Sequence, residues 1–179
     1  MKASEDLRKE HELILVALEV LEKIAEQINN NHTPDKKELQ EIVNFLIVFA
    51  DKCHHGKEED YYFPTLEKVG IPRENGPVGV MLYEHELGRN YIQQMRQSVS
   101  DGNENLEQFA QAAEGYTDLM KSHIYKENNI LFMMGDNNFP EEIQKELLEK
   151  FNEHESNIIG EGRHEEFHKL IEKLKEKYL

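Results

Sequence analysis

Helix-breaking residues fall in four clusters over the first 140 of the 179 residues, with one further break at Gly160-Glu161-Gly162, and this punctuation constrains the fold more than any other feature. The clusters are Asn29-Asn30-Asn31-His32-Thr33-Pro34, Gly70-Ile71-Pro72 through Gly76-Pro77, Ser100-Asp101-Gly102-Asn103, and Gly135-Asp136 to Pro140. The long segments between them are rich in Leu, Glu, Lys, Gln and Ile, and their apolar residues recur at spacings of three and four. None alternates with the period of a strand. The first segment aligns Leu7, His11, Ile14, Leu18 and Leu21 on one face, with Ser4 placed as its N-cap. The second aligns Val43, Ile47, Ala50, His54, Glu58 and Tyr61, and the third Val78, Met81, Leu82, His85 and Ile92. The fourth aligns Tyr116, Leu119, Met120, His123, Glu127, Ile130, Leu131 and Met134. Each inward face therefore carries a histidine.

Short connections between long helices favour antiparallel neighbours. The pattern predicts an all-α fold: an up-down-up-down four-helix bundle over residues 1–138, with a C-terminal helical appendage, residues 139–179, packed on it. The formal charge of −15, from 36 acidic and 21 basic side chains, argues against nucleic acid or an anionic membrane as partner. The N-terminus MKASEDLRKE lacks the apolar run of a signal peptide, and no stretch approaches the ~18 apolar residues of a membrane span. A cytoplasmic monomer or homodimer is the expectation. The single cysteine, Cys53, has no partner for a disulfide or a CxxC metal knuckle and reads as a reduced core residue.

Two strings recur in the same order. Glu10-His11-Glu12-Leu13 reappears as Glu84-His85-Glu86-Leu87, and His54-x-x-Lys57-Glu58-Glu59-x-x-x-Phe63 reappears as His123-x-x-Lys126-Glu127-Asn128-x-x-x-Phe132. The chain thus reads as two copies of one helical hairpin related by a pseudo-twofold axis. At a rise of ~1.5 Å per residue, with alternating helix directions, His11, His54, His85 and His123 arrive at one level of the bundle. His54 and Glu58, like His123 and Glu127, are four residues apart and share a face. Four imidazoles and two carboxylates converge.

Burying those carboxylates in an apolar bundle is costly without compensating charge, and divalent cations supply it. Two bridging glutamates would leave two terminal imidazoles for each of two ions. Mixed nitrogen and oxygen ligation suits iron best, with manganese and zinc as competitors.

These residues carry a resemblance. Glu10-His11, His54-x3-Glu58-Glu59 with Phe63-Pro64, Met81-x-x-Glu84-His85, and His123-x3-Glu127-Asn128 with Phe132 resemble the hemerythrin-like proteins of the His-His-Glu cation-binding type, over about residues 5–135. The resemblance implies a di-iron centre, oxo-, hydroxo- or water-bridged, with Glu58 and Glu127 bridging and His11, His54, His85 and His123 as terminal ligands. It implies binding of O2 or a related small oxidant for sensing, storage or detoxification. The alternatives at the same centre are reduction of nitric oxide or peroxide, or iron donation. The chain departs from the respiratory pattern in carrying Met81 where that pattern has a further third-helix histidine, and His123-x3-Glu127 where it has His-x4-Asp, which counts against respiratory O2 carriage. Set against that pattern, one fewer nitrogen ligand leaves a position for water, an exogenous ligand or a tyrosine, with Tyr61 and Tyr116 near the ligand faces.

Rival motifs read more plainly. His55-x3-Glu59 copies the spacing of His54-x3-Glu58, but its helical phase falls with Asn44, Asp51 and Lys52, so His55 is expected to face solvent. His164-Glu165-Glu166-Phe167-His168 matches the H-E-x-x-H zinc-protease pattern, yet it lies near the C-terminus with no room for a cleft and is expected to cover the bundle. Met120, Met133 and Met134 read as ordinary packing.

Overall fold

The segments between the breaker clusters are helices in the computed structural model, which describes residues 1–179. They are α1 (Ala3–Asn29), α2 (residues 36–68), α3 (Pro77–Ser98) and α4 (residues 106–138), followed by α5 (Glu141–Ile158) and α6 (Arg163–Tyr178). No strand is present. The breakers act as expected: Asn31 takes a positive φ after α1, and the side chains of Asp35 and Asn105 accept the backbone N–H of Lys37 and Gln108 at the starts of α2 and α4. Ser4 is not a cap. It lies inside the first turn of α1, and its hydroxyl donates to Asp136, tying α1 to the end of α4.

Two of the helices change their winding. Leu46–His55 and Glu58–Tyr62 in α2, and Glu127–Leu131 in α4, are π-helical, with i→i+5 hydrogen bonds. Wide turns of this kind concentrate at functional sites, and here they carry or adjoin every candidate ligand of α2 and α4. They also shift the helical phase. Of Ile130 and Leu131, both expected inside, Leu131 is buried with Phe132 but Ile130 is 47% exposed. Ile47 and Tyr61 are half-buried for the same reason.

α1 packs on α4, α4 on α3, and α3 on the π-wound part of α2, leaving the inner faces to form the core. That core is divided. A cluster of 31 buried apolar residues, including Leu18, Phe45, Phe49, Met95, Phe109 and Tyr116, fills one part, and a cluster of 12, including Leu7, Phe63, Met81, Leu131 and Phe132, fills the other. Between them each helix contributes polar side chains, and these hold the candidate site. The C-terminal helices join both clusters: Leu147 and Phe151 of α5 enter the smaller, and Phe167, Ile171 and Leu174 of α6 the larger. No helix is long and apolar enough to cross a membrane.

One close approach fixes the end of α4. A Cβ on Gly135 would overlap the hydroxyl of Tyr62, a fully buried side chain that donates to the Phe132 carbonyl at 3.4 Å. Overpacking of this kind costs about 1–3 kcal/mol, more than the gain of up to about 1 kcal/mol in helix propensity from alanine. Gly135→Ala should therefore lower the urea midpoint without changing the m-value.

Candidate metal centre

Between the two apolar clusters, Glu58 and Glu127 are fully buried, and His11, His54, His85 and His123 are at most 1% exposed. Each glutamate spans two histidines. Glu58 places Oε1 3.5 Å from His54 Nε2 and Oε2 3.3 Å from His85 Nε2. Glu127 places Oε2 3.2 Å from His11 Nε2 and Oε1 3.0 Å from His123 Nε2 and 3.8 Å from His85 Nε2. The six residues named from spacing and repeat thus meet in one layer.

The opposite nitrogen of every ring is held from outside. Nδ1 of His11 donates to Asn128 Oδ1 (2.8 Å), that of His54 to Glu10 Oε2 (2.8 Å), that of His85 to Glu59 Oε1 (2.7 Å), and that of His123 to Glu84 Oε2 (2.8 Å). A carboxylate accepts only, so Nδ1 carries the proton and, in a neutral ring, Nε2 turns its lone pair inward. Such outer partners fix ring orientation and raise the basicity of the inward nitrogen. They obey the internal repeat: Glu10 serves His54 as Glu84 serves His123, and Glu59 serves His85 as Asn128 serves His11. Lys57 and Lys126 complete the correspondence by donating to Glu10 and Glu84. Sequence reading did not place this outer ring, although its members are the remaining letters of the two repeated strings.

His55 corrects an expectation. It is 5% exposed rather than solvent-facing, and its ring stacks on that of His85 with centroids 3.8 Å apart. A ligand atom of His55 lies with those of Glu58, His85 and His123 in a group whose members are all within 4.8 Å of one another. A second such group joins His11, His54, Glu58 and Glu127. The physical reason is the π-winding of Leu46–His55: a wider turn narrows the angle between successive side chains, so both adjacent histidines fit on the inner face.

The layer has unmet bonding capacity. His11 Nε2, His54 Nε2 and all four carboxylate oxygens of Glu58 and Glu127 are buried without a hydrogen-bond partner. His85 Nε2 and His123 Nε2 stand 3.1 Å apart, two inward nitrogens that need a proton or a cation between them. Buried polar atoms are satisfied almost everywhere in native proteins, so this concentration points to a missing positive charge.

Protonation follows the same field. Burial pushes His54 down to about 3 against the pull of Glu58, and burial with the neighbouring His85 holds His55 well below its usual range. Burial also opposes charge on His123, but Glu127 outweighs it and raises this histidine to about 9. Burial opposes charge on His85 too, but the surrounding carboxylates of Glu127, Glu58 and Glu59 outweigh it and raise this histidine well above its usual range. His11 is raised by Glu127 in the same way. Against its own burial, Glu127 is held well below the carboxylate range by His123, His11 and His85. Where no cation neutralises the acids, protons on the imidazoles do.

Other candidates lie elsewhere. Tyr61 turns from the layer toward Phe151 and His154, with centroids at 6.5 and 5.6 Å, so it does not fill a coordination position. Tyr116 is buried beside Gly88 with its hydroxyl unpartnered. His164 and His168 pack on Phe49, at 5.6 and 6.5 Å, as cover for the bundle. Cys53 is fully buried, and burial pushes its thiol above the usual range, as suits an inert core residue. Met120 is buried, Met134 half-buried, and Met133 52% exposed, again displaced by the π-turn before it.

Comparison with curated proteins and with solved structures gives no match. The family model described as the hemerythrin HHE cation binding domain matches residues 2–134, a span that holds every member of the layer and ends before α5. Since that span covers well over half of the chain, the protein belongs to the hemerythrin HHE cation-binding family.

Proposed function

We propose that the layer holds two iron ions and binds O2 or a related small oxidant, for sensing, storage or detoxification. The observation that carries this reading is the set of six buried, unpartnered donor atoms on His11, His54, Glu58 and Glu127, facing one another between two apolar clusters. His11 and His54 would be terminal ligands of one ion, and His85 and His123 of the other. Glu58 and Glu127, with an oxygen toward each side, would bridge. His55 joins His85 and His123 as a fifth imidazole, although an α-helical phase would turn it to solvent. Histidine–carboxylate ligation favours iron over softer metals.

Bound iron would supply Lewis acidity and one-electron chemistry toward a small ligand. The chain supplies the rest: Nδ1 bonds that orient each imidazole, carboxylates that offset the ionic charge, and apolar walls from Phe63, Met81, Leu131 and Phe132 on one side that limit bulk water.

Anaerobic loading with Fe(II), a metal count, and optical spectra before and after O2, nitric oxide or peroxide test the reading. Two irons per chain and a spectrum that changes reversibly with O2 are expected. Rapid repeated consumption of nitric oxide or peroxide would shift the assignment to a reductase, and ready loss of iron to an acceptor to an iron donor. A chain that retains no transition metal overturns the proposal. His55→Ala should keep the ion beside His11 and His54 but weaken the other by about 10–100-fold, the scale on which metal-site partners act. Competition with a chelator would read this as two unequal release steps.

A further inference from the structure

The outer partner of His54 does not end within the bundle. Glu10 accepts the His54 Nδ1–H on Oε2 at 2.8 Å, and its Oε1 accepts from Lys57 Nζ at 2.6 Å. Lys57 is 1% exposed and divides its remaining N–H bonds between Asp6 Oδ2 (3.1 Å) and Glu155 Oε2 (3.0 Å). Glu155 belongs to α5, beyond the residues that the family model covers. α5 can reach this depth because Gly56 lacks a side chain: a Cβ there would stand 2.6 Å from His154 Nε2, which donates to the Lys52 carbonyl at 3.0 Å. The other half of the repeat is built differently. Lys126 donates to Glu84 alone, and its side chain is 32% exposed. Of the two lysines, only the one behind His54 is closed over by α5.

We infer that α5 tunes the metal position at His54, with Glu155 acting as a positioning residue through Lys57 and Glu10. The inference rests on the metal reading above. An ammonium has three donors, and three carboxylates share those of Lys57. Glu155 draws the ammonium away from Glu10, leaving Glu10 a stronger acceptor for the His54 Nδ1–H and His54 Nε2 a stronger donor toward an ion. Removing the Glu155 charge moves Lys57 onto Glu10 and weakens the His54 bond. Removing Lys57 frees Glu10 and strengthens it. The two changes therefore have opposite signs, whereas damage to packing would act alike in both.

The test uses the full chain loaded anaerobically with cobalt(II), a paramagnetic probe of imidazole ligands, and follows the exchangeable Nδ1–H proton resonances that the ion shifts. The His54 resonance is identified by its loss in His54→Ala. Glu155→Gln is expected to move the His54 signal and leave those of His11, His85 and His123 in place. Lys57→Met should move the same signal in the opposite direction, and Asp6→Asn in the direction of Glu155→Gln. Glu153→Gln, an exposed neighbour on α5, should move none. Glu155→Gln is nearly isosteric at a half-exposed position, so it preserves the fold even where Lys57→Met does not. Unchanged signals in Glu155→Gln, or equal movement of all four, overturn the inference while leaving the metal reading intact. Absence of any shifted resonance in the unaltered chain overturns both.

Discussion

Replacing Glu127 by alanine is expected to leave at most one tightly held metal ion per chain in place of the two proposed for the unaltered protein. Glu127 has one oxygen 3.2 Å from His11 and the other 3.0 Å from His123, so its loss removes a donor from each side of the layer at once. Substituting an outer-shell partner typically costs about 10–100-fold in metal affinity. Removing a direct donor shared by two ions should exceed the upper end of that range. Glu58→Ala should behave alike, since Glu58 spans His54 and His85 at 3.5 and 3.3 Å. Metal content after gel filtration reads the result, and Glu127→Gln keeps the shape of the site if alanine unsettles the fold. Retention of two ions by these variants would show that the carboxylates are not bridges.

The second large effect is the pH dependence of stability, which metal loading is expected to flatten on the alkaline side. His123 is raised to about 9 by Glu127 in the face of burial. From an unfolded value near 6.5, that shift is a contribution on the order of 3 kcal/mol. It is fully present below pH 6.5 and is lost as pH rises through about 9. His85 and His11, also raised, act in the same direction. His54 has the reverse sign. Burial lowers it to about 3, so the unfolded chain binds a proton that the native chain refuses, and stability falls as pH drops from 6.5 toward 3.

The metal-free chain should therefore be most stable near pH 6.5 and lose stability on both sides. Metal replaces the imidazole protons, so loading near neutral pH should release protons and flatten the alkaline limb. It should also add about 4 kcal/mol at a free metal concentration 1,000 times Kd. Urea titrations at pH 6.5 and 9, with and without metal, measure both effects. A flat alkaline profile in the metal-free chain would mean that the carboxylates do not hold protons on these histidines.

Much of this arrangement is legible in the residues themselves. The breaker clusters mark the helices because proline and positive-φ positions end a hydrogen-bonded ladder locally. The common level of His11, His54, His85 and His123 follows from helical rise and from the order of the repeated strings. The outer ring was written in the same strings, as Glu10, Glu84, Lys57, Lys126, Glu59 and Asn128. Its role was not evident there, because each bond joins two different helices and depends on how they are rotated. His55 and Ile130 were misplaced because an α-helical phase was carried through turns that are π-wound.

The sequence by itself determined the helices and the common depth of six inward side chains in the bundle, since period and rise are local properties of the backbone. Only the tertiary structure decided that both adjacent histidines of α2 face inward, which acceptor holds each imidazole, and that α5 brings Glu155 to a buried lysine behind His54. Those outcomes depend on winding and inter-helix packing, in which the energy of each side chain is set by partners far away in the chain.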